Sequence, residues 1–72
     1  MLYELLFDFK TYDNQYTLIS LLGIKEIFIF NAILPSYIKK GDEVNLIYQI
    51  TNGGNYICQL YHAYSHKLYF AK

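Results

Sequence analysis

The sequence predicts a small all-β domain, an antiparallel barrel of five to six strands. Three observations carry this reading. Short segments alternate apolar and polar residues with a period of two. Clusters of turn-forming residues separate those segments at regular spacing. Within the segments, β-branched and aromatic residues dominate, and these suit a pleated, half-buried surface.

The first strand is expected over residues 2–10, where Tyr3, Leu5, Phe7 and Phe9 share one face, assigned to the core. Glu4, Asp8 and Lys10 fall on the other face with Leu2 and Leu6. Asp13-Asn14 marks a polar turn, and a second strand follows over 16–22, punctuated by Gly23. Residues 24–34 are the most apolar stretch. Ile27, Phe28, Ile29 and Phe30 are consecutive, so both faces of that strand are apolar, as expected for a strand central in a barrel. Pro35 cannot donate to a ladder and ends it. Gly41-Asp42 then forms a tight turn that launches a strand in which Val44, Leu46, Tyr48 and Ile50 alternate with Glu43, Asn45, Gln49 and Thr51. Asn52-Gly53-Gly54-Asn55 is a hairpin turn.

Residues 56–72 admit two readings. As strands, 56–64 and 67–71 flank Ser65-His66; as a helix over 56–70, Ile57, Tyr61, Tyr64 and Leu68 would form a stripe, giving an α+β fold. The preceding hairpin turn favours strands. The chain is one domain spanning 1–72, with no repeat, linker or low-complexity run.

A chain of 72 residues buries a modest core, yet 54% of this one is apolar. That excess predicts exposed apolar surface and a protein partner or a homo-oligomer. Six lysines balance six carboxylates and arginine is absent, which removes the basic excess and the bidentate phosphate reader of nucleic-acid-binding proteins. Nucleic acid is disfavoured on that ground. Cys58 is the single cysteine, and Met1-Leu2-Tyr3-Glu4 has no basic leader, so the chain reads as cytoplasmic. A spanning helix needs about 20 mainly apolar residues. The least charged stretch, 16–38, is interrupted by Lys25 and Glu26 and broken by Asn31 and Pro35, so no membrane span is expected.

An apolar strand, Pro35, Ile38-Lys39-Lys40 and then Gly41-Asp42-Glu43-Val44 resembles the late part of small OB-like or SH3-like barrels over residues 26–50. Oxyanion-binding barrels of the TOBE type share the outline. Their Ser-Ala-Arg-Asn signature is missing, so molybdate binding does not carry over. Residues 44–50 and 56–62 are also similar in outline to bacterial proteins in which such a barrel precedes membrane helices. That resemblance implies a soluble portion of a membrane-associated protein, or a stand-alone relative.

Cys58, His62 and His66 form C-x3-H-x3-H. On a helix they would project from one face and could ligate zinc; on a strand, four residues span roughly 13 Å, too far for one metal. The strand reading therefore makes Cys58 a buried small apolar residue and the histidines partly exposed sheet or turn residues. No nucleophile–base–orienter set is legible among Ser20, Ser36 and Ser65, Asp42-Glu43 reads as solvated turn chemistry, and no cofactor motif is present. No enzymatic activity is expected. The remaining candidates are Tyr48, Tyr56, Tyr61, Tyr64 and Tyr69, which could build a protein-binding patch or a stacking platform on adjacent strands. The expected function is protein contact or self-association through these tyrosine-rich strands. The alternatives are an OB-like single-stranded nucleic-acid-binding module and a metal-binding protein using Cys58, His62 and His66.

Overall fold

The computed structural model describes residues 3–72 and contains six strands and no helix among them: β1 (Glu4–Tyr12), β2 (Tyr16–Leu21), β3 (Ile27–Phe30), β4 (Glu43–Thr51), β5 (Gly54–His62) and β6 (Lys67–Phe70). The final residues adopt the strand reading, so the C-terminal helix is not formed. Leu2, expected in the first strand, lies outside the described residues.

The pairings close a ring. β1 pairs with β2 and β4, β2 with β3, and β4 with β5, all antiparallel; β3 pairs with β5 in parallel and completes the barrel. The cyclic order 1-2-3-5-4 is that of an OB-like barrel. β6 is an additional strand that pairs antiparallel with the second half of β5, on the edge whose first half is taken by β3. Both edges of β3 are thereby paired; Phe28 and Phe30 face the core, while Ile27 is exposed and Ile29 half-buried on the outer side.

Rows of opposed residues fix the two faces. Thr11, Thr17, Phe30, Ile57 and Tyr48 follow one another across β1, β2, β3, β5 and β4 on the inner face. Leu6, Ile19, Leu21, Phe28, Phe30, Val44, Ile57 and Leu60 form the buried core. The irregular segment 31–42 adds Ala32, Leu34 and Ile38 to that core. Thr17, fully buried, donates its hydroxyl to the Ala32 carbonyl at 2.9 Å, so the start of the segment is fastened to β2 without leaving a polar group unpaired.

The first strand corrects the expected face. Leu6 is buried, whereas Tyr3, Leu5 and Phe7 are exposed. The cause is a bulge: Leu6 opposes Leu21 and Asp8 opposes Ser20, so Phe7 is an extra residue with no opposite number. An extra residue reverses the parity of the alternation, and Phe9, beyond the bulge, does pack on the core. β5 carries a second bulge at Cys58, between Ile57 opposite Tyr48 and Gln59 opposite Ile47. On β4 the alternation is as expected, but only Val44 is fully buried; Ile50, at the far end of the hairpin, is exposed.

Candidate binding surfaces

The five tyrosines singled out by the sequence do not meet in one patch. Tyr48 sets its ring edge-on to Phe28, with centroids 4.8 Å apart and planes at 76°, yet remains 41% exposed. Tyr69 opposes Leu60 and packs against the core. Tyr56 and Tyr61 point outward from opposite halves of β5, and Tyr64 stands exposed in the 63–66 turn. Strand alternation and the bulge at Cys58 divide them between the two sides of the sheet, a division that residue density along the chain does not reveal.

Two other surfaces emerge. On the outer side of β4, β5 and β6, Ile47, Gln59 and Phe70 form one row, and Asn45, Tyr61 and Leu68 form the next. Tyr3, just before β1, brings its ring to 6.2 Å from that of Tyr61. Ile47, Leu68 and Phe70 are 54%, 49% and 59% exposed, so the face is apolar and open. The Tyr61 hydroxyl is held at its margin by Nδ1 of His66, 3.1 Å away. Of the sequence candidates only Tyr61 belongs here. Leu68 and Phe70 were legible as strand residues, but their outward direction depends on the register with Tyr61 and Gln59.

A second row crosses the barrel through Lys10, Leu18, Ile29, Tyr56 and Gln49. Beside it lies an open groove of about 480 Å³ lined by Tyr16, Leu18, Ile29, Asn31 and Tyr56. The rings of Tyr12 and Tyr16 stack next to it, 5.5 Å apart and 17° from parallel, and the Lys10 ammonium lies 5.3 Å from the Tyr12 centroid. The sequence signal for this pair is the turn itself. Asp13 and Asn14 both take left-handed conformations, and the turn they make sets Tyr12 opposite Tyr16.

His62 overturns the expectation of a partly exposed residue: it is 1% exposed. Its Nε2 lies 2.8 Å from Asp42 Oδ2 and its Nδ1 lies 2.7 Å from Ser65 Oγ. An ionised Asp42 carboxylate can only accept, so Nε2–H donates to it, while Nδ1 and the Ser65 hydroxyl share the second hydrogen bond. The Asp42 carboxyl is held below its ordinary value, chiefly by the Lys39 amide hydrogen bond, with the bond to His62 adding to it against the cost of burial. Serine, histidine and aspartate thus follow in the order of a catalytic triad. Two open depressions flank Asp42, one lined by Gly41, Glu43, Ala63 and Tyr64 and the other by Tyr37, Lys39 and Tyr64. The arrangement acts as a latch that joins the turn before β4 to the turn after β5. Asp42 is therefore a structural partner and not simple solvated turn chemistry.

Cys58, His62 and His66 are not brought together. Cys58 is the half-buried bulge residue, and each histidine has its own partner. Among the described residues no group of three or more histidine, cysteine or acidic side chains could hold a metal ion. Nor is any helix among them long and apolar enough to cross a membrane.

Fold and surfaces together define a small OB-like β-barrel with an added edge strand. No family model, curated protein or solved structure matched the chain.

Proposed function

We propose that this chain is a binding and assembly module that makes protein contact through the outer face of β4, β5 and β6, and that it works without catalysing a reaction. One observation carries the reading: Ile47, Leu68 and Phe70 lie exposed in adjacent rows around Tyr61. Core residues already fill the interior, so these side chains have no inward role, and apolar faces of this kind are typical interaction sites. The chain carries no net charge, so close approach of a neutral partner meets no long-range repulsion. Amide chemical shifts followed across a concentration series test this directly. The reading predicts concentration-dependent shifts centred on Ile47, Gln59, Leu68 and Phe70, abolished by Ile47→Asp. Shifts absent from this face in the wild-type chain would overturn it.

A second reading rests on the opposite groove. Tyr16 and Tyr56 both line it, with Lys10 and the Tyr12–Tyr16 stack beside them. Aromatic rings beside a cation suit the stacking of single-stranded bases, and strands 2 and 3 supply the ligand face of OB-like barrels. This reading predicts quenching of tyrosine fluorescence by a single-stranded oligonucleotide at low salt, weakened by Tyr56→Ala. No change in fluorescence at low salt would remove it.

A further inference from the structure

We infer that the partner on the β6 side is a second copy of the chain, joined edge to edge along β6 about a two-fold axis through Tyr69; this rests on the protein-contact reading above.

The backbone directions along β6 support it. Ala71 N–H bonds to the Cys58 carbonyl at 3.1 Å, so residues 71, 69 and 67 direct their amides and carbonyls at β5. Lys72 N–H bonds to the Asn31 carbonyl at 3.0 Å and not to β5. By the same alternation Leu68 and Phe70 aim their backbone groups away from β5. Among the described residues no backbone hydrogen bond reaches them from that side. β6 therefore presents a free edge, and its only charged residue, Lys67, stands at one end.

The register follows from these constraints. Placing Tyr69 on the axis sets Leu68 opposite the partner's Phe70, and Phe70 opposite the partner's Leu68. Each pair exchanges amide and carbonyl bonds, and each is an aliphatic–aromatic cross-strand pair on the outer face. Lys67 then opposes the partner's Ala71, so no like charges face each other. Moving the axis to Leu68 would call on His66, which is held in a left-handed turn at φ 57°. Moving it to Phe70 would call on the Lys72 amide, already given to Asn31. Only the register centred on Tyr69 uses free groups alone. It would also make the outer apolar rows of the two copies continuous.

The experiment uses two variants in a Cys58→Ser background, Leu68→Cys and Phe70→Cys, both at exposed positions. In the inferred register, residues 68 and 70 of opposite copies have Cα atoms about 5.5 Å apart, within disulfide reach. Identical positions lie diagonally, about 7–8 Å apart, beyond it. The expected result, read by mass spectrometry after mild oxidation, is a disulfide-linked mixed dimer in several-fold excess over the dimers each variant forms alone. Hydrogen exchange on the unmodified chain gives a second readout: the Leu68 and Phe70 amides should slow about tenfold or more between dilute and concentrated samples. A dimer by light scattering, with no preference for the mixed cross-link and no protection of these amides, overturns the edge pairing and leaves the protein-contact reading standing. A monomer at every concentration overturns self-association itself.

Discussion

His62 Nε2 and Asp42 Oδ2 lie 2.8 Å apart, and this contact ties the turn that launches β4 to the last residue of β5. Among the described residues, β1 and β4 pair at Glu4–Val44 and Leu5–Glu43. Backbone bonds from Leu6 to Asp42 and from Gly41 to Leu6 extend this pairing, and both depend on the placement of the same turn. Asp42→Ala leaves the buried Nε2–H of His62 without an acceptor. Urea unfolding should show a loss of about 1–3 kcal/mol. Ser65→Ala, at the other ring nitrogen, should cost less, because the hydroxyl lies in a partly exposed turn.

The same contact sets an acid dependence. The folded-state pKa of Asp42 is depressed by the Lys39 amide and by His62, and that of Asp8 by its hydrogen bond with Lys40 and then by the Phe9 amide. A depressed carboxyl stabilises the fold at pH values above its unfolded pKa of about 4, and that contribution disappears as pH falls through the folded pKa. Unfolding midpoints should therefore be flat with respect to these groups near neutrality and fall below about pH 4. Asp42→Asn should remove part of that slope. Asp8→Asn should change it less, since Asp8 and Lys40 are more than half exposed and solvent screens the pair.

Gly54 opens β5 with φ 137°, where side chains are strained, and a Cβ there would come within 3.0 Å of Ile29 Cδ1. Gly53 in the same turn meets nothing closer than 3.5 Å. Gly54→Ala should destabilise by about 1–3 kcal/mol, and Gly53→Ala by clearly less. Because Ile29 sits on the strand that closes the barrel in parallel with β5, the damage should appear in amide exchange at the β3–β5 pairing.

The hydroxyl of Tyr69 is buried and finds no hydrogen-bond partner among the described residues. Burial of an unpaired hydroxyl costs roughly 1–3 kcal/mol. Tyr69→Phe keeps the ring against the core and removes that cost, so thermal unfolding should show a variant at least as stable as the parent.

Strand positions were legible because alternation, Asp13-Asn14, Gly41-Asp42 and the Asn-Gly-Gly-Asn turn all act locally. Facing was legible only where no residue is inserted. Phe7 shows the limit: one extra residue in β1 exposes Tyr3 and Leu5 and buries Leu6, and nothing in the apolar–polar pattern announces it. The parallel closure of β3 on β5 joins segments separated by the whole of β4, so it too lies beyond local pattern. For the surfaces, tyrosine density pointed to the last third of the chain, and Tyr61 does lie on its apolar face. The neighbours that make the face, Ile47, Leu68 and Phe70, come from three strands and are assembled by register alone. The Asp42–His62–Ser65 latch was hidden for the same reason, since Asp42 and His62 are 20 residues apart.

Sedimentation velocity over a wide concentration range reads directly whether the apolar outer face finds a second copy. The mass should rise from the 8.5 kDa of the single chain towards twice that value as concentration increases, with Leu68→Asp returning it to the single-chain mass. A wild-type chain that sediments as a monomer throughout would contradict self-association.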